Sequence, residues 1–384
     1  MSETAPLRRI NETKQMSDVA MKDGLSLGDR QSIRTAPARP PSGIFSGAGD
    51  SGVWPGQATN SAVAFITPMT AVFILVWYVT GALTNSTSKQ TLNQFKGAKP
   101  FLSLTLMQHI MAVVGGNFAI RVLRIKPYKS LPPEAHSWGF YRLLLVYSLG
   151  FCLTNGSFGA VNASFVDTIK AGEPIATVGL TLLFLSDESV PLIVFLSLLP
   201  IVAGVGISSL SDTSFNFLGF AMAMGSNLCF SARSICAKLL RSSLGKSMDN
   251  ANLFVHVNAY GAMILLPLVL YFEGPVLITI LKGGGNPAKL FLMNGIFYYL
   301  NNQMNFLVLE KVDAVTHGLI NCGRRVANIL FAIVWFRIPI NFYNGVGITL
   351  ALFGAFCYMQ AKQISSRAKA APPQFPPKAS VKSM

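Results

Sequence analysis

The stretch THGLINCGRRVANILFAIVWF, residues 316–336, decides the fold class of this chain. It is apolar over most of its length, although two arginines stand next to each other in its middle. A helix needs about 20 mostly apolar residues to cross the roughly 30 Å hydrocarbon core of a bilayer. Residues 164–185, SFVDTIKAGEPIATVGLTLLFL, have a similar length and character. Both stretches therefore predict membrane-spanning helices with charged residues inside them.

The composition of the whole chain agrees with this prediction. Of the 384 residues, 51% are hydrophobic and only 12% are charged, and the mean hydropathy is +0.46. Soluble domains carry about 25% charged residues, so this chain has too little polar surface to cover a water-facing globule. The apolar residues come in continuous runs rather than in alternation, which excludes a lipid-facing β-barrel. The chain is predicted to be an all-α polytopic membrane protein.

Apolar runs recur along residues 61–361 and predict ten transmembrane helices, with both chain termini on one side of the membrane. A unit of five spans that is duplicated must insert in opposite orientations, which predicts two inverted five-helix repeats, 62–210 and 216–361. Basic loop residues favour the cytosol, or its equivalent, for the side that carries the termini. The ten runs lie at 62–84, 101–123, 140–155, 160–185, 190–210, 216–240, 251–272, 288–310, 314–336 and 341–361.

Polar segments flank the predicted membrane helices at both ends. Residues 1–60 lack hydrophobic periodicity and are predicted to be disordered, with a possible targeting region whose cleavage stays open. Residues 362–384 contain five basic residues and no acid, and are predicted to be a disordered tail beside anionic lipid headgroups. Nucleic acid is not an expected partner, because the basic surplus lies in the tail and the membrane core.

Three cations are placed deep inside predicted spans. Lys170, Arg324 and Arg325 each lie about 10 residues from the start of their spans, or about 15 Å at a rise of 1.5 Å per residue. A charge near the centre of the bilayer costs roughly 2.5–3.5 kcal/mol on insertion scales, which favours a water-filled binding site over structural ion pairing or snorkelling. Glu173 and Asp167, three residues either side of Lys170, are the candidate counter-ions.

A pocket with one lysine and two arginines predicts a phosphate monoester as its ligand. Guanidinium groups grip phosphate oxygens in a bidentate manner, and an ammonium acts as a point charge. Arg233 is a further intramembrane cation, either in the pocket or paired with an acid. His109 and His317 are interpreted as core residues. The eighth span has a dense polar cluster, of which some members are expected to line a cavity: Tyr298, Tyr299, Asn301, Asn302 and Gln303.

Catalytic and metal-binding patterns are missing from the sequence. All five cysteines fall in apolar runs without ligand spacing, so no disulfide framework, metal site or cofactor is predicted. Paired carboxylates and the motifs HExxH, GxSxG and GxxxxGK[ST] are absent from positions where they could do chemistry. A membrane-embedded enzyme is therefore not expected.

Five stretches resemble the plastidic phosphate translocators, the triose-phosphate/phosphate translocator family of the drug/metabolite transporter superfamily. The resemblance runs from about Trp77 to Gln363 and implies ten helices in an inverted repeat that exchange inorganic phosphate for phosphorylated C3, C5 or C6 compounds. The stretches are TIKAGEP (168–174), SFNFLGFAMAMGSNLCFSARSICAK (214–238), YYLNNQ (298–303), LEKVDAVTH (309–317) and NCGRRV (321–326).

The resemblance also implies roles for individual residues. The phosphate-gripping lysine of the family falls on Lys170, and its Lys-Arg pair falls on Arg324 and Arg325. Pocket residues of the family fall on Thr154, Phe230 and Arg233.

Three positions depart from the triose-phosphate members. Phe151 stands where those members have a histidine, Asn301 stands where they have a tyrosine, and Asp167 replaces another histidine. The residues that the resemblance assigns to phosphate binding are retained, whereas those assigned to recognition of the organic part of the substrate are changed.

The function expected from the sequence is an antiporter that exchanges inorganic phosphate for a phosphorylated C3 to C6 metabolite by alternating access. Triose phosphate, 3-phosphoglycerate, phosphoenolpyruvate and sugar phosphates are the candidate metabolites. Its location would be a plastid envelope or complex-plastid membrane. The alternatives are a Golgi or ER nucleotide-sugar antiporter of the same superfamily and a passive anion channel, and the oligomeric state is left open.

Overall fold

The computed structural model describes residues 67–95, 97, 99–133, 136–184, 190–244, 248–282, 286–312 and 314–370. These residues belong to one compact unit. The predicted N-terminal segment, 1–60, lies outside the described residues. So does most of the predicted C-terminal tail, from residue 371 onward.

The described residues form helices and no strands. One turn of π-helix, Phe118–Val122, extends the second helix. The twelve α-helices are α1 (Pro68–Asn93), α2 (Phe101–Asn117), α3 (Trp138–Ala160), α4 (Ala163–Lys170), α5 (Glu173–Phe184), α6 (Leu192–Ser211), α7 (Phe217–Leu244), α8 (Asn250–Phe272), α9 (Gly274–Lys282), α10 (Asn286–Lys311), α11 (Ala314–Phe336) and α12 (Phe342–Ala370).

Seven helices of the described chain are long and apolar enough to cross a membrane: α1, α2 with its π turn, α3, α6, α8, α11 and α12. Large apolar side chains on their outer faces are exposed, such as Leu210 at 93% and Val334 at 77%. Contiguous apolar surface of this kind needs an apolar surrounding, which a bilayer supplies.

The first helix runs to Asn93, nine residues beyond the predicted end at residue 84. Its last turns are rich in threonine and serine, which normally favour caps and loops. Here Thr84, Thr87 and Thr91 each donate from Oγ1 to the backbone carbonyl four residues earlier, at 2.6 Å. These bonds satisfy the hydroxyls inside the helix, so the polar sequence stays helical.

The fourth predicted span, 160–185, is not one continuous helix. It consists of α4 and α5, which are separated by Ala171 and Gly172. Pro174 lacks a backbone N–H and cannot continue a preceding α-helix, but it is well tolerated in the first turn of a new one. The sequence AGEP therefore ends one helix and starts the next in the middle of the predicted span.

Two further differences concern the ends of elements. The short helix α9 lies in a segment that had been assigned to the connection before the eighth span. The last helix, predicted to end at residue 361, continues to Ala370 and so includes the start of the predicted tail.

Helices α6 and α12 pack together most closely, through glycine. A Cβ atom at Gly204 would lie 2.3 Å from the backbone nitrogen of Ala351, and one at Gly347 would lie 2.6 Å from that of Ser208. Only glycine permits backbones to approach this closely, as is common between membrane helices. The other main contacts are α3 with α7, α1 with α10, and α2 with both α8 and α10.

A buried network of carboxamides and hydroxyls joins four helices next to the site. Asn155 of α3 donates to Gln108 Oε1 of α2 at 2.9 Å, and Gln108 donates to Asn294 Oδ1 of α10 at 2.8 Å. Asn294 in turn donates to Thr87 Oγ1 and Ser88 Oγ of α1. Hydrogen bonds of this type hold membrane helices in one register.

Candidate functional site

The candidate site is built around the break between α4 and α5. Lys170 is the last residue of α4, and Glu173 is the first residue of α5. Helix ends leave backbone groups without helical partners, and Asn227 of α7 satisfies one by donating to the Ile169 carbonyl at 2.9 Å. The break therefore places the ammonium of Lys170 at the end of α4 and the carboxylate of Glu173 at the start of α5. The N-terminal end of a helix favours negative charge.

Lys170 is held by hydroxyl groups. Its Nζ donates to Thr154 Oγ1 of α3 at 3.0 Å and to Ser226 Oγ of α7 at 3.1 Å. It also lies 4.5 Å from the ring centroid of Phe230. Hydroxyls and an aromatic face orient the ammonium without cancelling its charge, so that charge remains available to an anion.

Aromatic rings form one wall of the site. Phe151 of α3 contacts both Phe230 of α7 and Tyr298 of α10, with ring centroids 5.0 and 5.1 Å apart. The guanidinium carbon of Arg233 lies 4.9 Å from the ring of Phe230, the ring that also contacts Lys170. The structure thus brings together four of the predicted residues, Phe151, Lys170, Phe230 and Arg233.

Arg325 forms an ion pair with Glu173. Its Nη2 lies 2.6 Å from Glu173 Oε2, and each side chain is 14% exposed. The sequence suggested that Glu173 could share a helix face with Lys170. The helix break removes that relation, and the carboxylate contacts a helix 152 residues further along the chain instead.

Arg324 points to a different set of partners. Its Nε and Nη2 donate to Asn321 Oδ1 at 3.2 and 3.1 Å, and its guanidinium carbon lies 5.1 Å from the Trp77 ring. A Cβ atom at Gly81 of α1 would be 3.1 Å from both Arg324 Nη1 and Asn301 Oδ1. Gly81 therefore lets α1 approach the arginine and Asn301 closely.

Asp167 is the second acid of the site. It is 2% exposed, and Asn85 of α1 donates to both of its carboxylate oxygens at 3.0 Å. In the part of the chain that the structure describes, neither Lys170 nor Arg324 has a carboxylate within ion-pair distance. The site consequently retains a positive surplus.

Tyr299, a predicted pocket residue, contacts α2. Its ring packs against Gly115 of α2, and it borders the same hydrophobic cluster as Phe151, a cluster that includes Tyr147 and Tyr298. The neighbouring Tyr298 faces the aromatic wall instead, and its hydroxyl lies 2.8 Å from that of Tyr147. Successive residues of a helix point about 100° apart, so the two tyrosines have different neighbours.

The two histidines lie next to the site residues. His109 is fully buried, with Nε2 3.3 Å from Ser148 Oγ, and its ring contacts Phe151 edge to face. His317 stacks on Trp77, and its Nε2 lies 2.9 Å from Asn305 Oδ1. Both rings are therefore hydrogen-bonded packing residues of their helices.

Several site residues had not been singled out from the sequence. Ser226 lies four residues before Phe230 and seven before Arg233, which is the spacing of one helix face. Asn321 lies three residues before Arg324, from which it accepts, in the same manner. This spacing could have identified them, whereas the contacts of Trp77, Gly81 and Asn85 depend on how α1 packs.

An apolar groove of about 720 Å³ lies between α11 and α12, and its lining does not include Lys170, Arg324 or Arg325. Its lining includes Cys322, Val326, Ile329 and Ile348. Aliphatic walls cannot compensate a phosphate dianion, so the groove is not the site for a charged ligand.

The arrangement as a whole can bind a compact anion. Three cations from two helices converge, with hydroxyls, carboxamides and aromatic rings around them. Among the described residues no three His, Cys, Asp or Glu side chains form a group that could hold a metal ion. The geometry provides electrostatic recognition of an anion.

Comparison with known proteins identifies the family of this chain. Residues 69–359 match the model of the Triose-phosphate Transporter family. A phosphoenolpyruvate/phosphate translocator of Oryza sativa subsp. japonica is 34% identical over 77% of this chain and 72% of its own length. The corresponding values for a triose phosphate/phosphate translocator of Pisum sativum are 32%, 79% and 75%. A glucose-6-phosphate/phosphate translocator of Arabidopsis thaliana is 29% identical over 76% of this chain and 75% of its own length.

Proposed function

The chain belongs to the Triose-phosphate Transporter family, and on this premise we propose that it is an antiporter that exchanges inorganic phosphate for a phosphorylated C3 to C6 metabolite. The relatives named above are translocators of phosphoenolpyruvate, triose phosphate and glucose 6-phosphate, each in exchange for phosphate. A shared phosphate group is the feature common to all these substrates. The proposal therefore rests on the part of the site that would bind phosphate.

The observation that carries the proposal is the surplus of positive charge. Lys170 is oriented by two hydroxyls, Arg324 by a carboxamide, and Arg325 alone contacts a carboxylate. Three cations inside a membrane domain are costly unless an anion compensates them. A phosphate dianion fits, because guanidinium groups and an ammonium are the usual partners of phosphate oxygens.

The same surplus explains obligate exchange. Closing the site without substrate would bury mutually repelling cations in a medium of low dielectric constant. A bound dianion removes that repulsion, so the loaded carrier closes and crosses more readily than the carrier without substrate. Glu173 offsets some of the charge on Arg325, so it reduces the free-energy cost of closing the empty site without removing it.

We further propose ten membrane spans arranged as two inverted repeats. In addition to the seven apolar helices, α7, α10 and the pair α4–α5 would cross, since polar site residues reduce their hydropathy. The packing of helices supports this arrangement. In an inverted repeat the first span, α1, corresponds to the sixth, α7, and the third span, α3, corresponds to the eighth, α10. The contact between α1 and α10 then has its counterpart in the contact between α7 and α3, and both contacts are present.

A plastid envelope or complex-plastid membrane is the proposed location, because the relatives named above are chloroplast proteins. The organic end of the substrate would face the altered part of the site, at Phe151 and Asn301. Tyr298, rather than Tyr299, would complete the wall beside Phe151, because its ring contacts that of Phe151.

Exchange measurements in proteoliposomes test the proposal. Vesicles that contain the purified chain and internal phosphate should take up labelled phosphate, and Lys170→Ala should reduce the rate by about 100-fold or more. The loss of about 3 kcal/mol corresponds to charge-assisted hydrogen bonds to phosphate. Arg121→Ala is the matched control, because Arg121 is a cation that stacks on Tyr128 near the end of α2, outside the site. Normal exchange by Lys170→Ala would contradict the proposed site.

A further inference from the structure

We propose that the apolar groove between α11 and α12 binds an acyl chain of an anionic phospholipid, and that Arg337, in the turn at one end of the groove, binds the phosphate of its headgroup. The ligand is a lipid of the bilayer and not a transported substrate. This site is separate from the proposed function, because the lipid would bind whether or not the chain exchanges phosphate.

Both walls of the groove are apolar stripes on membrane-spanning helices. The lining residues of α11 recur at intervals of three and four residues, which is the spacing of one helix face: Val326, Ile329 and Ile333. Those of α12 recur at intervals of four residues: Ile348, Leu352 and Phe356. The hydroxyl of Thr349 also borders the groove, but it donates to the Gly345 carbonyl within α12 at 2.8 Å. The walls therefore suit a hydrocarbon chain.

The groove leaves α11 with little support from protein. Only 17% of the residues in its most apolar stretch are buried, against 39–61% in the other six apolar helices that the structure describes. Protein interiors are packed as densely as organic crystals, with few voids larger than a water molecule. A cavity of about 720 Å³ beside a spanning helix is therefore a place for a molecule from the bilayer.

The groove is long enough for an acyl chain. Its lining on α11 extends from Leu319 to Ile333, or roughly 21 Å at a rise of about 1.5 Å per residue. One leaflet of the hydrocarbon core is roughly 15 Å deep. A chain that enters at Ile333 would thus lie against α11 over the full depth of a leaflet.

The turn between α11 and α12 places a cation at the Ile333 end of the groove. The N–H of Ile338 donates to the Ile333 carbonyl. The N–H of Arg337 donates to the Val334 carbonyl, which completes the Schellman pattern of a helix end. Arg337 stands where this motif usually has glycine, and its φ is 49°. An arginine is less favourable than glycine at such a φ, so the turn by itself does not explain the side chain.

The surroundings of Arg337 are those of a lipid headgroup. Its side chain is exposed, and no carboxylate in the described part of the chain lies within ion-pair distance of it. Trp335 and Tyr343, on either side of the turn, are 54% and 70% exposed. Tryptophan and tyrosine are enriched where membrane helices meet the headgroup layer. An arginine at this level would bind a lipid phosphate in a bidentate manner.

Native mass spectrometry of the purified full-length protein tests the site. The probe is an equal mixture of phosphatidylglycerol and phosphatidylcholine with the same acyl chains, so that only the headgroups differ. We expect wild type to retain phosphatidylglycerol in preference to phosphatidylcholine. Arg337→Gly should keep the turn, because glycine readily adopts a positive φ, and should lower the preference about fivefold. Arg337→Lys keeps the charge and should keep most of the preference.

A second variant fills the groove. A Cβ atom at Gly345 would meet one side chain among the described residues, that of Ile340 at 3.7 Å, so leucine fits there and occupies the space of the acyl chain. Gly345→Leu should therefore remove most of the retained phosphatidylglycerol. Gly206→Leu is the matched control, because no described atom lies within 4 Å of its Cβ position and Gly206 does not line the groove.

Three results would overturn the inference. Equal retention of the two lipids by wild type would mean that Arg337 selects no headgroup, and this measurement needs no variant. Retention by Gly345→Leu at the wild-type level would place the lipid outside the groove. A dimer that Gly345→Leu dissociates would mean that a second copy of the chain fills the groove. Failure of the proposed function gives a different result, which is the absence of phosphate exchange in vesicles while lipid retention is intact.

Discussion

Lys170 illustrates how a single residue can be positioned without being neutralised. Two hydroxyl oxygens from different helices accept from its ammonium group, and neither carries a charge. A carboxylate at the same distance would fix the side chain but would also compete with phosphate. Arg325 is held by a carboxylate, that of Glu173. A phosphate that binds Arg325 must therefore compete with an anion, whereas one that binds Lys170 competes only with neutral hydroxyls.

At this scale Thr154→Val is expected to reduce phosphate exchange by roughly tenfold or more. Valine has nearly the same shape but cannot accept the hydrogen bond from Lys170, and a hydrogen bond to a charged group is worth about 1.5–3 kcal/mol. Initial rates of labelled phosphate uptake in proteoliposomes measure the effect. Thr154→Ser keeps the hydroxyl and should stay close to wild type, and an equal loss in both variants would argue against this contact.

Among the elements, the divided span α4–α5 carries the chemistry of the site. Because α4 ends at Lys170 and α5 begins at Glu173, two charged residues close in sequence have different partners. Discontinuous helices are a recurrent way to build binding sites at the middle of a membrane. The break results from Gly172 and Pro174, and a continuous helix would have kept Glu173 beside Lys170.

The glycine contact between α6 and α12 provides a prediction about stability. Gly204→Leu should lower the thermal stability of the detergent-purified protein, at a cost of about 1–3 kcal/mol or more, because the new side chain meets backbone atoms of α12. Gly206→Leu, two residues further along α6, should have little effect, since no atom lies within 4 Å of its Cβ position. Equal destabilisation by the two substitutions would mean that leucine disturbs α6 itself rather than its contact.

Over the whole molecule, the proposed carrier would link binding to movement through the positive surplus at one site. The helices that supply the site come from both halves of the chain: α1, α3, α4 and α5 from the first, and α7, α10 and α11 from the second. Under the proposed function, an anion that binds cations on α4 and α11 would draw the two halves together. This is the physical basis that we propose for the coupling between occupancy and closure.

At the scale of the whole carrier, phosphate uptake should depend on internal phosphate. Vesicles loaded with phosphate are expected to take up labelled phosphate at least about tenfold faster than vesicles without it, which corresponds to a barrier difference of about 1.4 kcal/mol. The same measurement separates the carrier from a passive anion channel, whose uptake does not require an internal exchange partner. Equal uptake by loaded and unloaded vesicles would favour the channel.

The sequence by itself determined the membrane class, the helical structure of most predicted runs and the identity of the cations inside those runs. These are local properties, because the length of an apolar run and the cost of a charge inside it depend on few neighbours. The predicted bounds 314–336 agree with α11. Polar residues continue the helix in the last turns of α1, where the prediction failed because the threonine hydroxyls bond to carbonyls of the preceding turn.

Only the tertiary structure decided which partners the charged residues have. Glu173 contacts Arg325, 152 residues away, rather than Lys170 three residues away, and Tyr298 rather than Tyr299 faces Phe151. Sequence spacing limits which residues share a helix face, but the rotation of each helix is set by packing among all the helices. For that reason the cations could be identified from the sequence, whereas the carboxylates and neutral groups that contact each cation could be identified only from the fold.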